Sequence, residues 1–224
     1  MKISSNLLVC AALALLAVPA LGAQDLSKYR AFALGSTLAT VSKQAQVPLD
    51  QISTVHQSPA LIQQLTLWPI DSSDAGEGPQ DVQQMQFSFC NGKLYNITVI
   101  YRTAATEGLT NEDMIDAISS RYGVATRPPT PNNTPAPLSF DSGNIRLASW
   151  QDSQYSVVLS RSPLAPSFHL VLLSTTLQTQ ADAATAEAVA QERVDAPQRE
   201  AARVKKEAED AQALREANRR AFRP

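Results

Sequence analysis

Residues 84–101 read Gln84-Met85-Gln86-Phe87-Ser88-Phe89-Cys90-Asn91-Gly92-Lys93-Leu94-Tyr95-Asn96-Ile97-Thr98-Val99-Ile100-Tyr101. Met85, Phe87 and Phe89 alternate with polar residues, which predicts a strand with one apolar face. Asn91-Gly92 supplies two residues that tolerate positive φ, as a type I′ turn requires. Leu94 to Tyr101 is rich in β-branched and aromatic side chains, which suit a pleated, half-buried surface. Residues 83–102 are therefore predicted to form an antiparallel hairpin. A lone hairpin is marginal in water, so further strands or a helix must cover it.

Working outward, Leu61–Ile70 is predicted to be a third strand. Ile145–Trp150, Tyr155–Ser160 and Phe168–Leu173 supply three more. The first two of these are joined by the polar turn Gln151-Asp152-Ser153-Gln154. Two helices are legible. Ser36 or Thr37 is placed to cap a helix running to about Ala45. Thr110 is placed to cap another over Asn111–Arg121, with Glu112 and Asp113 in its first turn and Gly123 as its stop. Two segments read as loops: residues 71–79, rich in Asp, Ser and Gly, and residues 126–138, which hold five prolines. The fold class is α+β, with helices packed on an antiparallel sheet.

The two helix starts resemble each other. Gly35-Ser36-Thr37-Leu38-Ala39-Thr40-Val41 and Gly108-Leu109-Thr110-Asn111-Glu112-Asp113-Met114 share Gly-x-Thr-x-x-x-apolar. Each precedes an irregular segment and about three strands. The expected organisation is two tandem α/β repeats, over residues 23–107 and 108–175. Phe32-Ala33-Leu34-Gly35-Ser36-Thr37-Leu38-Ala39-Thr40-Val41, with Pro48 beyond it, resembles the opening of BamE-like (SmpA/OmlA) domains. That resemblance implies two helices followed by an antiparallel sheet. Two such units in tandem would be similar to the architecture of β-lactamase-inhibitor-protein-like folds. Ser36 stands where the family has Met, and Gln46 where it has Gly, so no binding residue is carried over.

Composition changes sharply near residue 176. Residues 180–224 carry nine acids, nine bases and 14 alanines, with Phe222 their only aromatic. Strong helix formers fill this segment, so residues 176–224 are expected to be a charged helical tail. Pro197 is expected to break it, with Asp195 capping a restart. Beyond Pro197, Ala201, Val204, Ala208, Ala211, Leu214, Ala217 and Ala221 recur near the coiled-coil period, which allows weak self-association. The segment 176–190 leaves the last strand directly and is a candidate to pack back on the sheet.

The N-terminus reads Met1-Lys2, an apolar run from Leu7 to Leu21, and Ala20-Leu21-Gly22-Ala23. One positive charge, a short apolar core and small residues before a cleavage point mark a signal peptide over residues 1–22. The chain is expected to be exported, periplasmic or extracellular, without a stable membrane anchor. Its remaining cysteine, Cys90, has no internal partner and is expected to be a buried apolar group.

Of the 224 residues, 19 are basic and 21 acidic, a balance that argues against nucleic acid as partner. His56 and His169 are the only imidazoles, and no nucleophile elbow, zinc or phosphate-loop motif occurs. No catalytic, cofactor-binding or metal-binding residue is assigned. Asp71, Asp74, Glu77 and Asp81 fit no cation-loop spacing. Trp68 and Trp150 are expected to lie in the core or on a sheet face. The reading is an exported non-enzymatic protein of the cell envelope acting through protein–protein interaction. The alternatives are an inhibitor-type module using loops 71–79 and 126–137, and a small enzyme using His56 or His169.

Overall fold

The computed structural model describes residues 24–69, 81–128, 143–165 and 167–223. The signal-peptide segment and the loop 71–79 lie outside the described residues, as does most of the proline-rich loop. In chain order the elements are β1 (Lys28–Tyr29), β2 (Phe32–Ala33), α1 (Leu38–Ala45), β3 (Ser53–His56), β4 (Ile62–Leu67), β5 (Val82–Cys90) and β6 (Lys93–Tyr101). There follow α2 (Thr103–Thr106), α3 (Asn111–Tyr122), β7 (Ile145–Gln151), β8 (Tyr155–Arg161), β9 (Phe168–Ser174) and α4 (Thr175–Ala221). The fold is α+β: a two-stranded ribbon, and a seven-stranded antiparallel sheet in the order β3-β4-β5-β6-β9-β8-β7.

The hairpin forms where its sequence places it. Asn91 and Gly92 take φ of 48° and 73°, the left-handed values the tight turn needs. The turn is then gripped from both sides. Leu61 N donates to Asn91 Oδ1 at 3.0 Å, fixing the start of β4. Leu38 N donates to the Gly92 carbonyl, and Leu94 N to the Ser36 carbonyl, so the Gly-Ser-Thr start of α1 clasps the hairpin tip. Gly35 makes this possible with φ of 83°, which puts its N–H 2.7 Å from the Leu94 carbonyl.

Both sheet faces are covered, unequally. Met85, Phe87, Phe89, Leu94, Ile97 and Val99 point to one face, where α1, α3 and the β1–β2 ribbon pack. Leu159, Leu170, Leu172 and Trp150 continue the same core into the second half of the sheet. On the opposite face a smaller cluster joins Ile62, Cys90 and Tyr95 to Ala181, with Leu177 against it, under the first turns of α4. Cys90 is thus a buried apolar group, and burial pushes its thiol pKa up.

The helix starts behave alike. Gly35 and Gly108 have φ of 83° and 80°. Thr37 accepts from Thr40 N, and Thr110 accepts from Asp113 N with Asp113 closing a reciprocal capping box. Strands β4, β5 and β6 lie in the order mirrored by β9, β8 and β7, with the β6–β9 pair at the seam.

Two expectations are corrected. Pro197 does not end the tail: α4 is one helix of 47 residues running through it. Proline removes one backbone hydrogen bond at a cost of about 3 kcal/mol. Ala-rich, ion-paired turns on both sides offset that, including Arg199–Glu192 at 3.9 Å across the proline. Trp68 is 59% exposed, whereas Trp150 is 2% exposed. Trp68 follows the end of β4, beyond the sheet's covered face.

Every residue from 196 to 223 is exposed. The helical part of that segment extends roughly 39 Å at 1.5 Å per residue. Deleting residues 198–224 should therefore change body stability by less than about 1–2 kcal/mol. Limited trypsin digestion should cut first between Arg193 and Arg220 and leave a resistant body. A tail as resistant as the β5–β6 hairpin would show that it is covered in solution.

The core also predicts alkaline behaviour. Burial pushes the Tyr122 hydroxyl up to about 12, and it donates to the Lys28 carbonyl at 2.7 Å. Burial raises Tyr101 further still and raises Tyr29 as well. Unfolded tyrosine ionises near 10. The stabilisation from neutral, buried Tyr122 is complete below pH 10 and is lost between pH 10 and about 12. Stability should fall there through Tyr122 by at most about 1.4 kcal/mol per pH unit, less where solvent screens the group. Urea titrations from pH 9 to 11.5 should show a shallower fall for Tyr122→Phe. An identical slope would remove Tyr122 from the effect.

Candidate functional site

An open concavity forms where α4 leaves the body. Its floor is the edge strand β3 and the turn after it, from Thr54 to Pro59. Its wall is α4 from Glu187 to Arg199. The space measures about 800 Å³. The edge strand is polar, and Val55, 46% exposed, is its apolar element. The wall presents Glu187, Glu192 and Asp195 against the single cation Arg199. Gln191 Nε2 donates to Asp195 Oδ1 at 3.0 Å, which holds that carboxylate at the rim. The groove is open, acidic on one side and lined by the unpaired edge of a sheet.

Its position follows from the local sequence. Leu177, Gln178, Ala181 and Ala188 carry the apolar or small contacts that lay α4 along the sheet. Past Ala188 every seventh-residue continuation is polar or small, so the helix loses its grip and passes over β3. The three carboxylates of the wall occupy the turns where docking ends.

His56, at the end of β3, is half-buried and lines this groove. His169 lies on β9, four strand spacings away, or roughly 19 Å. The two imidazoles do not share a site. His169 sits between Ser167 Oγ, 3.2 Å from Nε2, and Asn144 Nδ2, 3.0 Å from Nδ1. Ser167 is itself buried, so these contacts tie the start of β9 to Asn144.

A second, smaller hollow of about 430 Å³ lies at the other sheet edge, lined by Ile145, Leu147, Arg161 and Leu164. Arg161 is engaged there, donating to Asn111 Oδ1 at 3.2 Å and lying over the Phe168 ring. Of the loops expected to serve an inhibitor, 71–79 and residues from 129 onward lie outside the described residues. Thr126 is strand-like, bridging Ser149 on the outer edge of β7. Among the described residues no group of three potential metal ligands occurs, and no helix is long and apolar enough to cross a membrane. No family model, curated protein or solved structure matches the chain.

The sequence reading did not single out the acidic wall of α4. Its signal was present, since Asp182, Glu187, Glu192 and Asp195 precede most of the tail's bases. An expected break at Pro197 hid the continuity that gives this order a meaning.

Proposed function

We propose that this is an exported, non-enzymatic protein of the cell envelope that works by holding another protein chain, with α4 as the holding element. One observation carries the reading: 26 consecutive exposed helical residues, 196–221, on a helix that continues past a body with its own core. A helix of that length standing free in solvent gives the body nothing. It offers a partner several turns of regularly spaced groups. The leader-like residues 1–22 support export, and the balanced charge gives no reason to invoke nucleic acid. We read the body as two tandem repeats similar to BamE-like domains. The matched glycine φ values, the matched threonine caps and the mirrored strand order support that reading.

Two experiments test the proposal. N-terminal sequencing of protein from the extracytoplasmic fraction should begin at Ala23; an intact Met1 or a modified Cys10 overturns the export reading. Photo-crosslinking residues placed in living cells at Val204, Leu214 and, as a control, Ser120 on α3 should give protein adducts from the tail positions. Adducts from α3 with none from α4 would move the function to the body.

A further inference from the structure

The charges of α4 are ordered along its length. Residues 182–200 hold five acids and two bases, whereas residues 211–223 hold four arginines and one glutamate. The helix macrodipole favours acids only in the first turn, and the first turn of α4 has none. The acids occupy later turns, beside the groove, so the order calls for another explanation.

We propose that α4 pairs antiparallel with α4 of a second copy of this chain, the arginine-rich end of each lying over the acidic groove of the other. This rests on the reading of α4 as a binding element and names its partner. The argument is one of register. Set residue 207 of one copy level with residue 208 of the other, running in opposite directions. Glu192 is then level with Arg223, and Asp195 with Arg220. Arg199 is level with Glu216, and Glu200 with Arg215. Nearer the centre, Lys205 meets the level of Asp210, and Lys206 that of Glu209. Each of these six levels carries opposite charges, and no level in the paired segment carries like charges. Ala202 is level with Ala213, on the helix face that carries Asp195, Arg199, Lys206 and Glu209, so small groups coincide there as well. A parallel, in-register pair would put every charge beside its own copy.

The helix already makes internal pairs, such as Arg203–Glu207 at 2.5 Å and Lys205–Glu209 at 3.9 Å. Exposed pairs of this kind are weak, each worth at most about 1 kcal/mol, so they do not compete strongly with a second helix. Arg219 and Arg223 have no ion-pair partner among the described residues. The free helix and the empty groove thereby find one occupant.

The test uses the full chain and two charge variants. Sedimentation equilibrium at 50 mM salt should give a dimer, weakened roughly tenfold or more at 500 mM salt, where screening is short-ranged. One variant carries Arg215→Glu, Arg219→Glu, Arg220→Glu and Arg223→Glu, which makes both ends of α4 acidic. The other carries Glu192→Lys, Asp195→Lys and Glu200→Lys, which makes both ends basic. Each should be a monomer alone, and a mixture should form the heterodimer. Circular dichroism confirms that each helix persists, and one intact variant suffices for the single-variant comparison. Mild oxidation should crosslink Glu209→Cys chains to each other and leave Ala202→Cys chains uncrosslinked. A monomer at all concentrations, a dimer that survives deletion of 198–224, or variants that dimerise alone would overturn the proposal. So would crosslinking at both cysteine positions, which marks a parallel pair. A monomer whose tail still forms adducts with another protein in cells removes the second copy as partner and leaves the binding reading standing.

Discussion

Phe87→Ala is expected to lower the stability of the body by about 3–5 kcal/mol, the range for deleting a fully buried aromatic ring. Phe87 sits on β5, is 0% exposed, and lies level with Leu65 of β4 on one side and Ile97 of β6 on the other. Its ring meets Phe32 of β2 at 4.6 Å with the planes tilted by 51°. Strand neighbours on both sides hold the backbone in place, so the site has little freedom to collapse around the missing ring. The β1–β2 ribbon loses one of its contacts with the sheet, the ring of Phe32 on Phe87, and should loosen first. Urea titration followed by far-ultraviolet circular dichroism gives the change. Phe87→Leu, which keeps most of the volume, should cost less than about 1.5 kcal/mol if the surroundings repack. A loss below 1.5 kcal/mol for the alanine variant would mean that the ribbon closes over the gap and that Phe87 is not a central contact.

The parts of this fold that were legible in the sequence are those that local chemistry decides. Asn91-Gly92 needs only its own backbone preference, and Thr110 with Asp113 needs only the three residues between them. Met85, Phe87 and Phe89 declare their face by alternation. What stayed hidden depends on partners far along the chain. Nothing in β6 announces that it pairs with β9, so the mirrored order of the sheet appears only in three dimensions. The β1–β2 ribbon turns through Arg30 with φ of 53°, a position for which arginine gives no signal. Trp68 and Trp150 are the same residue type, but Trp68 follows the end of β4 and is exposed, whereas Trp150 lies within β7 against the end of α3. The candidate site was legible in part: the tail was recognised as helical and charged. Its groove was not, because β3 and α4 meet across more than a hundred residues.

Trp150→Ala, in the second half of the sheet, should cost about 3–5 kcal/mol as well, and should do so in the same single unfolding transition. Trp150 is 2% exposed, its Nε1 donates to the Gly123 carbonyl at 2.8 Å, and its ring lies 6.5 Å from that of Tyr122. That one side chain joins β7 to the end of α3, so its loss opens a cavity and leaves the carbonyl unpaired. Trp150→Phe keeps part of the packing and isolates the carbonyl, at a cost of about 1–3 kcal/mol. The transition matters because residues 23–107 and 108–175 look like two units by sequence yet share one continuous core across the β6–β9 seam. A shared core makes the halves unfold together, so Phe87→Ala and Trp150→Ala should each shift the whole curve. Their effects should add nearly fully in the double variant, because no described contact joins the two side chains. Hydrogen exchange should then show amides of β5 and β8 losing protection to the same extent in either variant. If Trp150→Ala unprotects β7 and β8 while β4 and β5 stay protected, the halves are separate folding units and the seam is an interface between them.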